Sequence, residues 1–317
     1  MPKNSPPGSV AEPALKAWLR KNPEAPGAEI ARARLAFMDA EGTARFLRGL
    51  QGEARVRPRV LRTSQVSGRW STTGPPLVGL PKPVRNIMVP EAGTWWMHMD
   101  KKAVEGRLAA VYANERLDLD VLDVDGDLHI ATLRDMFPNE TITDDDPRRQ
   151  LAKTTRYNLL YAYDERGILD AKDLNELGGR VAALDLARRF LAARPALTRA
   201  KERVFAESWR THEARSGYGR IRRLTGDQKT QAKDGWSQTI QGTVSSMMSR
   251  LMLRMLSLDK RARLVIHAHD GLIIAWPGEL DRELVLSTCK HFNDEPITLW
   301  GREYTYPADW HIQEAEE

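Results

Sequence analysis

Cysteine is almost missing from this chain. Cys289 is the one thiol in 317 residues, which excludes an internal disulfide framework and any cysteine-rich zinc site. No run of about 18 apolar residues is present to span a bilayer. The opening MPKNSPPGSV carries none of the apolar core of a secretory signal. These absences imply a cytoplasmic protein in a reducing compartment, with no membrane partner. Internal repeats are also lacking. What is present is the balance of a soluble globular protein, 41% hydrophobic and 29% charged. The length allows one large domain or two smaller ones around a sizeable core.

Net charge is +5 and the pI about 9.3, consistent with a polyanionic partner without establishing one. The placement of charge says more. Residues 1–90 hold 15 Lys and Arg against 6 Asp and Glu, residues 115–146 hold 2 against 11, and residues 185–233 hold 13 against 5. Each block alone reads as a solvated face. Two basic blocks around an acidic one suit a surface that touches phosphate in some places and avoids it in others.

Four prolines in Met1–Pro13 mark a disordered lead. Leu15, Trp18 and Leu19, then Ile30, Leu35, Phe37, Phe46 and Leu47, predict two or three short helices broken at Pro23–Gly27. Residues 67–90 read as irregular. Trp95–Met99 predicts a strand ending at Asp100, and Ala103–Ala113 a helix. Arg148–Tyr163 is a second helix, with Asp144, Asp145, Asp146 and Pro147 suited to its N-terminus. One long helical stretch over 180–214 precedes a hairpin-like Gly217–Gly226. Thr239–Leu258 is again helical. Leu264–Ala268 and Leu272–Trp276 flank His-Asp-Gly and predict a hairpin with Asp270 at its turn.

Asp100 and Asp270 thus each end an apolar strand. Aspartates there are usually turn formers, but two converging on one antiparallel sheet supply hard oxygen ligands for divalent metals. Two-metal phosphoryl or nucleotidyl transfer needs such a pair. Arg149, Lys153, Tyr157 and Tyr161 recur every four residues, about 400° per step, and so share one helix face over roughly 18 Å. As chemistry, that face offers two cations for a triphosphate and two rings for a base; as packing, it is a basic turn followed by a core stripe.

In order along the chain, SGRWSTTGPPLVGLP (67–81), MDKKAVEGRLAAVYANE (99–115), DLHIAT (127–132), RRQLAKTTRYNLLYA (148–162), IQGT (240–243) and AHDG (268–271) resemble the motifs of family A DNA polymerases. The resemblance covers about residues 68–310. It implies an α+β, right-hand polymerase fold, with an antiparallel palm sheet, helical fingers and a short helical, thumb-like N-terminal segment. The implied divisions are 1–60 (lead and reduced thumb), 61–126 (first part of the palm), 127–235 (fingers) and 236–317 (second part of the palm). Asp100 and Asp270 would hold two Mg²⁺ ions, or Mn²⁺ in their place, with the Lys101 carbonyl completing one site. Arg149, Lys153 and His129 would bind the triphosphate, and Lys153 would protonate the leaving pyrophosphate. Glu105 would exclude a 2′-hydroxyl, Tyr157 would stack on the nucleotide, and Tyr161 would lie under the template base. Arg69 and Gln241 would touch the minor groove and His269 the primer terminus, with Lys233 and Ser237 at two further DNA-facing positions.

Several positions depart from the family pattern. Lys101 and Lys102 follow Asp100 where Tyr and Ser are usual, and a lysine there is expected to compete with metal for Asp100. Strand alternation lets only one of them face it. Gly271 replaces a glutamate and weakens the site's acidity. Asn158 and Ala162 replace glycines of the fingers helix, Pro76 and Val78 replace an Asn and a Gln, and Lys233 and Ser237 stand where Arg and Asn are usual, which reduces inspection of the minor groove.

The expected function is primer extension with deoxynucleoside triphosphates on a DNA template, by a monomer. The first 60 residues are too few for a proofreading exonuclease, and the role is repair, lesion bypass or replication of a small phage or mobile genome. Two alternatives stay open: a primase-like or single-subunit RNA polymerase, which Glu105 opposes, and a non-catalytic primer-template binding module, which Lys101, Lys102 and Gly271 motivate. LDLDVLDVDGD at 117–127 lacks the glycine of a calcium loop and reads as an acidic connector. Trp95, Trp96, His98, His267, His291 and the methionines 247, 248, 252 and 255 read as structural.

Overall fold

Two helices come first, α1 (Glu12–Lys21) and α2 (Ala28–Gly49). Gly27 turns the chain between them at a φ of 93°, a left-handed conformation that glycine adopts without strain. The computed structural model describes residues 12–22, 24–49, 55–62, 65–73, 77, 88–170 and 177–315. Pro76, Val78 and the proline-rich lead before Glu12 lie outside them. The chain divides into two compact units, one of Met1–Arg59 with Thr73–Met88, the other of Val60–Thr72 with Val89–Glu317. No described helix is long and apolar enough to cross a membrane.

The second unit is built on a four-stranded antiparallel sheet. After the short paired strands β1 (Arg59–Leu61) and β2 (Ser71–Thr73) comes β3 (Thr94–Lys101). Its run of Trp95, Trp96 and Met97 is buried, as expected of a central strand covered on both faces. Asp100 therefore lies inside the strand rather than beyond its end. Helices α3 (Val104–Ala113), α4 (Arg116–Asp123), α5 (Leu128–Met136) and α6 (Arg149–Tyr161) follow, then a 3-10 turn at Glu165–Asp170. The stretch expected as one helix over 180–214 is two, α7 (Gly179–Ala193) and α8 (Pro195–Thr211). Pro195 has no N–H to continue α7 but fits the first turn of α8.

Strands β4 (Glu213–Arg215) and β5 (Ile221–Arg223) form a hairpin, and α9 spans Gln228–Leu258. It starts eleven residues before its expected beginning because the Asp227 side chain accepts from the Thr230 N–H at 2.8 Å and caps it there. The expected hairpin is β6 (Arg263–Ala268) and β7 (Gly271–Pro277); α10 (Arg282–Cys289), β8 (Ile297–Leu299), β9 (Arg302–Tyr304) and β10 (Ala308–Glu314) complete the chain. Sheet order is β10-β3-β7-β6.

Trp95 and Trp276 face each other in register and stack at 4.8 Å. They share one core with Met247, Met248, Met252 and Met255 of α9, all buried. Trp96 is also buried, His267 stacks on Trp70, His98 stacks on His311, and His291 meets Glu295 at 2.7 Å, so these residues are structural as expected. The acidic connector is a correction. Residues 116–123 form α4, which turns Asp118, Leu119 and Leu122 inward; the alternation of Leu and Asp conceals its helical period.

Candidate active site

The turn that joins β6 to β7 consists of His269 and Asp270, with Ala268 opposite Gly271. His269 holds φ at 54°. On the next strand Asp100 faces Gly271, and the Lys101 N–H donates to the Asp270 carbonyl at 3.0 Å. The two aspartates expected to converge are therefore neighbours at one end of the central strands. Both line a cavity of about 400 Å³, together with Lys101, His129, Arg149, Lys153 and Tyr157.

Lys101 does not compete for Asp100. Its side chain is buried on the other face of the sheet, where Nζ donates to the carbonyls of Phe292 and Tyr306 and sits over the Phe292 ring. Lys102 pairs with Asp309 at 3.2 Å. Strand alternation thus sends Lys101 away from Asp100, while Lys102 lines the cavity and is paired with Asp309. Gly271 also has a geometric role: a Cβ there would lie 2.9 Å from Asp100 Oδ1 and 3.3 Å from the Met99 carbonyl.

Across the cavity, Asp127 caps α5, accepting from the backbone N–H groups of His129 at 2.6 Å and Ile130 at 3.3 Å. It also accepts from Arg149 Nε at 2.7 Å. Burial would raise the Asp127 pKa, but the His129 N–H and Arg149 outweigh it and hold the carboxyl below its usual range. This ties α5 to the start of α6 and fixes where Arg149 stands. Burial drives His129 down to about 4, against the pull of Asp127, so its ring is neutral near pH 7. His129 Nδ1 is buried without a partner among the described residues. One turn further along α6, Lys153 is exposed.

Tyr157 and Tyr161 follow on the same face. Burial, then Glu105 and Asp270, push the Tyr157 hydroxyl pKa upward, so it remains a donor. Ala103, at a φ of 45°, makes the turn from β3 into α3, and Glu105 is then on that helix's first turn. Glu105 accepts from Arg69 and from the Tyr161 hydroxyl at 2.5 Å. Ser237 donates to Gln241 at 3.0 Å, and Gln241 also bonds Tyr161. Lys233 is exposed on α9.

Charge reading alone misses the supports of this wall. Under α6, Asp118 accepts from Arg156 at 2.5 Å and from Arg194 at 3.0 Å, all three buried. Buried Lys201 donates to the Leu159 and Ala162 carbonyls at 3.1 and 2.8 Å, closing the C-terminus of α6. Arg220 donates to the Ser67 carbonyl at 2.9 Å and Ser245 to that of Gly68 at 2.5 Å, which fixes the segment presenting Arg69.

The donor set fits magnesium or manganese. Asp100 and Asp270 offer hard carboxylate oxygens beside a backbone carbonyl. Gly271 leaves Asp100 the room that a Cβ would fill.

A sheet-borne pair of acids thus shares one cavity with the cations and a tyrosine of α6. The chain belongs to DNA polymerase family A, whose model matches residues 36–295. It is 26% identical over 227 residues to the DNA polymerase of Mycobacterium phage D29, covering 71% of this chain and 35% of that protein. It is 26% identical over 239 residues to DNA polymerase I of Aquifex aeolicus, covering 73% and 41% respectively. The chain thus spans well under half the length of these relatives. Its fold matches the POL domain of Pol1 from M. smegmatis, solved in complex with DNA primer-template and dNTP, with a TM-score of 0.82 at 18% identity over 99% of this chain and 57% of that one.

Proposed function

We propose that this protein is a DNA-directed DNA polymerase that extends a primer with deoxynucleoside triphosphates. The observation that carries the reading is the cavity in which Asp100 and Asp270 on the sheet face Arg149, Lys153, His129 and Tyr157 on the helices. Asp100, Asp270 and the Lys101 carbonyl would hold two Mg²⁺ ions, or Mn²⁺, which when bound activate the attacking oxygen and stabilise the leaving one. The protein's own groups do the rest. Arg149 and Lys153 attract and orient the triphosphate, and neutral His129 donates to one of its oxygens. Lys153, exposed and flexible, delivers a proton to the departing pyrophosphate. Glu105, held from two sides, crowds a ribose 2′-oxygen. Tyr157 stacks on the nucleotide, Tyr161 supports the template base, and Arg69, Gln241, Ser237, Lys233 and His269 face the duplex.

In this reading residues 61–126 and 236–317 make the palm and 127–235 the fingers, with 1–60 in place of a thumb. Primer extension by the purified chain beside Asp270→Ala tests it. Extension by the wild type and its loss in the variant, with primer-template binding retained, are expected; near-wild-type rates in Asp270→Ala would sink the assignment. The anchored Glu105 favours deoxynucleotides over an RNA polymerase reading. The burial of the Lys101 side chain away from Asp100 speaks against a non-catalytic binding module.

A further inference from the structure

Asp309 is the other acid beside Asp100. In the ladders of the central sheet, Asp309 on β10 lies opposite Asp100 on β3, which lies opposite Gly271 on β7. Residues directly opposite one another in antiparallel strands point to the same face, with Cβ atoms about 5 Å apart. On either side of this row, Ala308 with Lys101 and Met99 with Leu272 are buried. Asp309 and Asp100 consequently stand together on the outer face, and both line the cavity with Asp270.

The two flanks of Asp100 are not equivalent. On the β7 side a side chain is disfavoured, because its Cβ would lie 2.9 Å from Asp100 Oδ1. The second carboxylate of this row comes from β10. There Asp309 meets Lys102 at 3.2 Å, with side-chain exposures of 78% and 41%. Exposed pairs of this kind contribute little and exchange partners readily. Among the described residues no three acidic, His or Cys side chains converge as a ready metal cage.

We propose that Asp309 is a third carboxylate of the divalent-metal site, supplying from β10 the acidity that glycine at 271 withholds. Lys102 is its partner until the cation arrives. With Mg²⁺ or Mn²⁺ bound, Asp309 would leave Lys102 and join Asp100 and Asp270 in holding the ion. The proposal rests on the reading of Asp100 and Asp270 as the metal-holding pair.

Titration of Mn²⁺ into the full chain, followed by the loss of the free-ion paramagnetic resonance signal, separates the two. The set is wild type, Asp270→Ala, Asp309→Asn, Asp309→Glu and Lys102→Ala. Asp309→Asn is expected to weaken Mn²⁺ binding about tenfold, Asp309→Glu to restore most of it, and Lys102→Ala to tighten it. Wild-type binding in Asp309→Asn together with loss in Asp270→Ala would overturn the third carboxylate and leave the catalytic pair standing. Wild-type binding in Asp270→Ala would overturn the pair itself and the proposal with it. Equal weakening in Lys102→Ala and Asp309→Asn would make the ion pair merely structural and also reject the proposal. Because both side chains are exposed, thermal melts of these variants are expected to match the wild type.

Discussion

Glu105 accepts from Arg69 and Tyr161 at once, so its carboxylate is oriented before any nucleotide is present. A fixed carboxylate excludes a 2′-hydroxyl by crowding and by refusing to yield. Glu105→Ala is therefore expected to lower the preference for deoxynucleotides at least about tenfold, roughly 1.4 kcal/mol, read from kcat/KM for the two sugars on one template; an unchanged ratio would reject the role. Tyr157 supplies a second residue-level test. If its hydroxyl fills the space beside the β-phosphate when a 3′-hydroxyl is missing, Tyr157→Phe leaves a polar gap. A lost hydrogen bond to a charged group costs about 1.5–3 kcal/mol, so the variant is expected to reject dideoxynucleotides about tenfold or more beyond the wild type. Equal selectivity in a competition between the two nucleotides would remove Tyr157 from that position. At this scale the sequence was informative for positions marked by their own type and spacing: Asp100, Asp270, Glu105 and the four-residue series on α6. It was silent on Arg220, which acts through carbonyls 153 and 154 residues away.

The helix α6 carries the cations and rings, and it is held by a polar network as well as by the core packing of Leu151, Ala152, Leu159 and Leu160. Asp118 neutralises two buried guanidinium groups whose partners lie 38 and 76 residues away. Breaking a buried network by removing one member costs about 3–5 kcal/mol, because a charge is left uncompensated. Asp118→Ala is thus expected to destabilise by that order in urea, whereas simultaneous replacement of Arg156 by Leu would recover part of the loss. Lys201 gives the element a pH signature. Burial, opposed by Asp164, lowers it from 10.5 to about 8. Between those values the unfolded chain keeps a proton that the folded chain has released, so stability rises with pH across the window and is least favoured below it. Urea midpoints measured on both sides of the window, for wild type and Lys201→Met, decide this: the variant is expected to lose the rise. Periodicity revealed α6 and the β6–β7 hairpin because their apolar faces repeat cleanly. It missed α4, whose Leu-Asp alternation mimics a connector, and it joined α7 to α8 because apolar spacing continues across Arg194 and Pro195.

For the whole molecule, charge counting assigns the block at 185–233 to phosphate, yet the fold ties four of its thirteen bases to internal partners. Arg194 is buried on Asp118 and Asp135, Arg222 pairs with Asp234 at 2.5 Å, Arg220 holds backbone carbonyls, and Lys201 closes α6. Arg188, Arg189, Arg199, Arg203, Arg210, Arg215, Arg223, Lys229 and Lys233 remain exposed. The net count was legible in the sequence; its division between packing and surface was not, because that division depends on partners distant along the chain. The proposed grip on primer-template then rests on these exposed cations. Binding of this kind is driven by release of counterions from the phosphates. With about six contacts, affinity falls roughly a thousandfold between about 50 and 200 mM salt. Synthesis is therefore expected to be distributive, with short products from single binding events as salt approaches the physiological range. A trap assay, in which excess unlabelled primer-template is added with the nucleotides, measures this directly: long labelled products at physiological salt from the chain alone would show that the hold has another source. Charge-neutralising variants of Arg223 and Lys233 are expected to flatten the salt slope by about one unit each, while Arg222→Gln, which removes an internal pair, would lower stability and leave the slope nearly unchanged.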